Sequence, residues 1–313
     1  MENIFDEIRL SNGCVDLKKI REKINNGEYK KKIFLKDIDH SKLQITVQSA
    51  YNELIAEELA KDFELENVHY DIYGLSYAPK GCFSEDFIED KLSFTFKDLI
   101  WKRKDKYYDM FDKRCTLEEM RKLLELFPDI IDEDALEENE IKKFNIYKRK
   151  LTENEIDLIM DQINKIYIFD ILIANKDNNY GNFGILIDEN TAKSMPCFDN
   201  EMLLNKDSIN QGAYAMLPDS YVADNINDFQ QEPHKAIIHY FSKEENKKYL
   251  DLFKSKLWII SEENIENVIK KVEERTKSKI DERTKNQYRE GFRNNNENIS
   301  NFIEYLDNIN KKY

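Results

Sequence analysis

Residues 169–186 read FDILIANKDNNYGNFGIL. An apolar run with helical spacing stops at Asn175, and a short polar turn follows before the chain becomes apolar again at Phe183. Asp177 and Asn182 stand five residues apart in that turn. A second isolated carboxylate, Asp199, comes thirteen residues beyond Leu186, in MPCFDNEML. A carboxylate, an amide at plus five and a later carboxylate form the polar set that phosphoryl transfer needs. One group orients and deprotonates the acceptor hydroxyl, and two oxygen ligands hold magnesium against the phosphates. Asp and Asn also suit a plain turn, because both bond their own backbone and tolerate left-handed conformations. Context favours a site: a long capped helix comes before, a strand–turn–strand comes after, and Asp199 falls where a metal ligand would face the pair.

The flanks support that reading. Thr152 with Glu155 forms a capping box that opens a helix with an apolar set at Ile156, Ile159, Met160, Ile163, Ile166, Phe169, Leu172 and Ile173. A second box, Thr116 with Glu119, precedes MRKLLELF. Residues 183–187 and 195–198 read as short strands around a turn at 188–192. The first ninety residues are mixed: a strand over 29–38 after the Asn26-Gly27 turn, a helix over 48–61, and strands over 68–77 and 81–88 joined at Pro79-Lys80-Gly81. From about residue 95 the pattern is mainly helical. A polar, irregular stretch at 205–232 is placed near a substrate entrance, and helical patterns resume after Pro233. The Asn-rich piece RNNNENISN from residue 293 reads as a helix interruption.

The amino-terminal part offers further components. Lys36 ends the apolar strand IFLKD, where a lysine can hold the α- and β-phosphates. Its partner is expected on the next helix. Glu53 lies there, seventeen residues on; Glu57 and Glu58 are rivals on other faces, with Glu58 expected in solvent. No G-x-G-x-x-G is present among the eight glycines. The best phosphate-covering turn is Ser11-Asn12-Gly13, although an ordinary turn is the stronger reading of it.

Composition bounds the rest. The chain has 313 residues, 41% hydrophobic and 35% charged, and a net charge of −14. That balance opposes general binding to nucleic acid or an anionic membrane, which relies on clustered Lys and Arg. Cys14, Cys82, Cys115 and Cys197 are scattered, without C-x-x-C, and read as reduced thiols rather than a disulfide frame or zinc site. Cys197, two residues before Asp199, reads as a packing residue more than a site residue. MENIFDEIRL is acidic, without the apolar core of a leader, and no apolar run reaches membrane-spanning length. A cytoplasmic protein is expected, with secretion as an effector left open.

With Lys36, Glu53, Asp177, Asn182 and Asp199 in place, the chain resembles the HipA-like serine/threonine kinases, and within them the compact CtkA-like branch. The family writes its catalytic segment much as F-D-x-L-I-x-N-x-D-R-H-x-x-N-F-G, where this chain has FDILIANKDNNYGNFG. The later segment, close to A-P-x-F-D-N-G-x-S-L, appears as MPCFDNEMLL, the helix segment as NELIAEELA, and a K-G-x-x-S-x-x-F stretch as KGCFSEDF. The match runs from about residue 30 to residue 205.

The resemblance implies an α+β, two-lobed protein-kinase-like fold, with a small mixed α/β N-lobe (1–90) and a larger, mainly helical C-lobe (91–313). It implies ATP and Mg2+ as cofactors, Asp177 as catalytic base, Asn182 and Asp199 as magnesium ligands, and Lys36 on phosphate, tethered by Glu53. Ser11 becomes a candidate autophosphorylation site, with Gly13 in the same nucleotide-covering turn. A protein substrate and an antitoxin partner, or an effector role, are expected partnerships. One departure stands out: the family's Arg-His after the catalytic Asp is replaced by Asn178-Asn179. An inactive nucleotide-binding module and a lipid or small-molecule kinase therefore remain as alternatives.

Overall fold

The computed structural model describes residues 6–26, 28, 33–37, 51–75, 78–88, 90–111, 116–175, 180–200, 203–204, 240–241 and 243–310. Asp177, Asn178, Asn179, Cys115 and the 205–232 stretch lie outside these residues. The fold is α+β. Near the amino terminus, β1 (Ile33–Asp37), β2 (Tyr70–Leu75) and β3 (Ala78–Glu85) form an antiparallel sheet in the order β1-β3-β2. Its two faces are built from alternating residues, as a pleat requires. Tyr70, Ile72 and Cys82 join the main core, whereas Tyr73 and Phe83 pack with Ile8, Val15 and Ile20 under α1 (Leu17–Asn25). Asp16 caps α1 through its carboxylate, which accepts the Lys18 amide at 2.9 Å.

The helix α2 (Asn52–Phe63) is buried on almost every side, from Asn52 through Ala60. Such all-round burial needs partners on all faces. It packs on β2, on α6 (Glu153–Ile173) and on α8 (Glu262–Thr276). A second antiparallel sheet, β4-β5-β6, is made of β4 (Leu92–Thr95), β5 (Gly184–Ile187) and β6 (Ala192–Ser194). Between its strands the chain runs through α3 (Phe96–Trp101), α4 (Leu117–Leu126), α5 (Glu138–Tyr147) and α6. After Phe241 come α7 (Lys247–Ser255), α8 and α9 (Glu282–Asn310). One continuous apolar core extends from Cys14 to Leu306.

Both predicted capping boxes form. Thr152 accepts the Glu155 amide, and Glu155 returns a bond to the Thr152 amide at 2.9 Å. Glu155 is also gripped by Arg149 at 2.5 Å and accepts the Ala192 amide at 2.9 Å, so one carboxylate joins the start of α6 to β6. The bond from Arg149, followed by opposing burial and the bonds from Thr152 and Ala192, holds the Glu155 carboxyl down at about 2. Thr152→Ala should cost about 1 kcal/mol, the usual value of a lost cap. The midpoint of urea unfolding measures it, and an unchanged midpoint would mean that Arg149 alone sets the helix start.

Several sequence expectations need correction. Pro79-Lys80-Gly81 is not the hairpin turn: all three lie in β3, with Gly81 opposite both Asp37 and Tyr73. Among the described residues Pro79 pairs with Gly74, where the register shifts and the ladder is already irregular. The second short strand falls at 192–194 rather than 195–198, because Asp188 accepts the Asn190 and Thr191 amides and closes the turn early. Residues 293–301 do not interrupt a helix but lie within α9. β4 was not foreseen.

Candidate active site

Four segments carry the candidate residues, and three of them, the end of α6, the stretch with Asp199 and α2, are joined by hydrogen bonds at Asn200. The first is the end of α6. Its last residues, from Ile166 to Ile173, are all buried, so the helix termination is buried too and its orphan carbonyls need partners. Ala174 ends the helix in the left-handed conformation (φ 55°), and its amide bonds the carbonyls of Asp170 and Ile171. The Asn175 amide also bonds the Asp170 carbonyl, at 3.0 Å. The side chain of Asn175 donates to Asp170 Oδ1 at 3.0 Å and approaches Asn200 Oδ1 at 3.4 Å. The chain is thus fixed up to the residue two before Asp177.

The second segment is the return of the loop. Asn182 is half-buried, and the carbonyls on either side of it are captured. The amide of Phe96 donates to the Phe183 carbonyl at 3.0 Å, and that of Lys97 to the Tyr180 carbonyl at 3.2 Å. These are first-turn donors of α3, free of intrahelical duty. A helix start therefore holds the loop that carries Asn182.

The third segment carries Asp199. Cys197 leads into it by a bridge to Asn67, with the Val68 amide on the Cys197 carbonyl at 3.0 Å. Asp199 itself has φ 65°, a left-handed conformation that Asp tolerates better than most residues. Its amide reaches the Tyr70 hydroxyl at 3.4 Å. Burial, then the nearby Glu53 carboxylate, pushes the Tyr70 hydroxyl well above its usual range, so it stays neutral and can accept that bond. The next amide, that of Asn200, donates to Glu53 Oε2 at 2.9 Å.

The fourth segment is α2, which supplies that Glu53, buried at 2% exposure. Its rivals are engaged elsewhere. Glu57 takes Arg275 at 2.6 Å, His69 at 2.8 Å and the Tyr70 amide at 3.0 Å. Glu58, expected in solvent, is buried and pairs with Lys61 at 2.7 Å and Arg275 at 3.1 Å. Both tie α2 to α8. Lys36 is placed by its backbone alone: it stands in β1 opposite Cys82 of the central strand.

Burial raises the Glu57 carboxyl, but the bonds from His69 and Arg275 and their charges outweigh it and hold it at about 2. A depressed folded value stabilises above the unfolded value, near 4.5, and that contribution disappears as pH falls toward 2. Acid unfolding should therefore steepen between about pH 4.5 and 2, and Glu57→Gln should flatten that part of the curve. Identical acid curves for the two proteins would refute this assignment.

The proposed nucleotide-covering turn has a structural reason of its own. Gly13 has φ 85°, and a β-carbon there would lie 2.5 Å from the Lys277 backbone. Its amide closes a turn on the Leu10 carbonyl at 2.9 Å, and Arg9 braces it from below through Asp71 at 2.5 Å. Ser11 is exposed at its tip. The packing against the α8–α9 corner accounts for the glycine without a phosphate.

Among the described residues, no cluster of three acidic, histidine or cysteine side chains forms a metal cage. A magnesium ion used with a nucleotide does not call for one, since it is usually held by one or two carboxylates and by the phosphates. The carboxylate of Asp199 and the amide oxygen of Asn182 are hard oxygens, the donor type that magnesium takes. A groove of about 620 Å3 opens elsewhere, between α4, α6 and α7, lined by Arg121, Asp157, Asp161, Lys248 and Tyr249. It is roughly 20 Å along α6 from Asn175, and the pairs Arg121–Asp157 and Lys248–Asp161, each at 2.8 Å, neutralise its walls. Three components escaped the sequence reading. Tyr70 and Asn200 gave no signal beyond a strand aromatic and a turn amide, and the α3 amides followed only once β4 was known.

The chain has a kinase-type fold. The proinflammatory kinase CtkA of Helicobacter pylori superposes with a TM-score of 0.54 at 14% identity, over 89% of this chain and 91% of that one. The HipA of the Shewanella oneidensis HipA–HipB–operator DNA complex gives a TM-score of 0.49 at 12% identity, over 88% of this chain and 59% of that one. No protein-family model and no curated protein matches the chain. The likeness to CtkA shows a kinase-like fold, as the sequence resemblance implies. Among the described residues no helix is long and apolar enough to cross a membrane.

Proposed function

We propose that the chain is an ATP- and magnesium-dependent serine/threonine protein kinase of the HipA-like type. In this reading residues 1–90 form the nucleotide-gripping lobe and residues 91–313 the catalytic one. Asp177 orients the acceptor hydroxyl and takes its proton. Asn182 and Asp199 would hold magnesium, which when bound neutralises charge on the β- and γ-phosphates. Lys36 would contact the phosphates, with Glu53 beside it. The observation that supports this best is the 2.9 Å bond from the Asn200 amide to Glu53, which joins α2 to the residue after Asp199. A buried glutamate is costly unless it is hydrogen-bonded, and this bond both meets that need and ties α2 to the Asp199 segment. The resemblance extends the reading to a toxin with an antitoxin partner, or an effector, working in the cytoplasm or after secretion.

Asn178-Asn179 favours a second reading, a nucleotide-binding module with little or no transfer activity, because the cation expected beside the transferring phosphoryl is missing there. Lys176 is the nearest substitute in sequence. Incubation with ATP and magnesium, followed by mass spectrometry, separates the readings. Phosphoserine or phosphothreonine on the chain or on a generic protein supports the kinase. Magnesium-dependent ATP binding without any phosphoprotein supports the module, and phosphate on a lipid or small molecule alone supports the remaining alternative.

A further inference from the structure

The long C-terminal helix α9 presents one row of residues, Tyr288, Gly291, Phe292 and Asn295, spaced by three and four and therefore on one face. Tyr288, Phe292 and Asn295 are fully buried. The row touches three of the four segments that build the site. Tyr288 donates its hydroxyl to Asn52 Oδ1 at 2.7 Å, next to Glu53 at the start of α2. Gly291 lies so close to Leu204 that a β-carbon would come within 2.8 Å of Leu204 Cδ1. Asn295 donates its Nδ2 to the Leu172 carbonyl at 2.7 Å.

That last bond gives the end of α6 its remaining carbonyl partner. Its four final carbonyls each need a partner in a buried setting. Asp170 and Ile171 receive theirs from Ala174 and Asn175. Ile173 accepts the Leu204 amide at 3.2 Å, and Leu172 accepts Asn295. The partner of Leu172 comes from 123 residues away in sequence. Asn295 Oδ1 has no hydrogen-bond partner among the described residues, an unfavourable state for a fully buried amide. Simple packing would favour an apolar side chain of the same size. The donor to Leu172 is what an apolar side chain would lack.

We infer that α9 is a strut for the candidate catalytic centre, and that Asn295 is a positioning residue that fixes the end of α6, from which the chain runs on to Asp177. The catalytic half of this inference rests on the kinase reading above; the positional half does not. Asn295→Leu keeps the volume and removes the donor. It should lower kcat for phosphate transfer about tenfold or more, as small misplacements of a reacting group do, with the KM for ATP changed less than about threefold. Hydrogen exchange of the full chain without nucleotide should quicken at the amides of Asn175 and Leu204 and stay constant in β3. Arg289→Ala, at a residue outside that row whose guanidinium pairs with Glu266 of α8, is the comparison and should leave both readouts at wild-type values.

Tyr288→Phe removes a single oxygen and serves if the leucine variant does not fold. It should quicken exchange at the Asn200 amide, which is bonded to Glu53. Wild-type kcat and wild-type exchange at Asn175 and Leu204 in Asn295→Leu would overturn the inference, as would unchanged exchange at Asn200 in Tyr288→Phe. Absence of phosphate transfer in the wild-type chain would overturn the kinase reading alone, and the exchange rates would still decide whether α9 positions the site.

Discussion

Asp199→Asn should reduce magnesium-dependent phosphate transfer by about a hundredfold to a thousandfold, the scale of losing one electrostatic contact to the reacting groups. The expectation follows from how the residue is held. Its backbone is fixed independently of its carboxylate: the Asp199 amide meets Tyr70, and the following amide meets Glu53. Asparagine tolerates the left-handed backbone at φ 65° as aspartate does, so the substitution removes the charge and keeps the backbone conformation. Stabilisation by ATP with magnesium should shrink, because the ion loses a carboxylate ligand. Equal stabilisation of the two proteins by ATP and magnesium would remove Asp199 from the metal site.

Asp177→Ala should have an effect of similar or larger size, about a hundredfold to ten-thousandfold, the range for a general base. It should separate chemistry from binding. Asn182 and Asp199 remain, so ATP with magnesium should still stabilise the variant. The loop's origin is set by the Asn175–Asp170 pair and by Ala174, and its return by the α3 amides. The described residues on both sides of Asp177 are therefore anchored without its side chain. Transfer at the wild-type rate would end the assignment of Asp177 as base. Loss of ATP binding together with transfer would make it a ligand rather than a base.

Local chemistry made much of the fold legible. The capping boxes at Thr116 and Thr152 depend on residues three apart, so a sequence window contains the whole interaction. The apolar set of α6 has helical spacing and is buried as expected. The left-handed end at Ala174 was not legible, because alanine carries no signal for it. Choices made by distant partners were hidden as well. Glu58 looked like a solvent residue and is buried because Arg275 arrives from α8. Pro79 looked like a turn and is in a strand because Gly74 lets the register shift opposite it. The Asn-rich run from residue 293 looked like a break, since asparagine is a poor helix former, yet Asn295 is held there by the Leu172 carbonyl. The site's polar residue types could be read from a motif; the tyrosine, the backbone amides and the strut that hold them could not.

Asp199 and its neighbours are proposed to serve phosphate transfer. The most direct test is incubation of the purified chain with γ-labelled ATP and magnesium beside Asp199→Asn, scoring label in the chain itself and in a generic protein acceptor. The expected result is label with the wild-type chain, its loss when magnesium is chelated, and at most about one hundredth of the wild-type rate in the variant. Equal labelling by the two proteins, or none by a wild-type chain that binds ATP with magnesium, would contradict it.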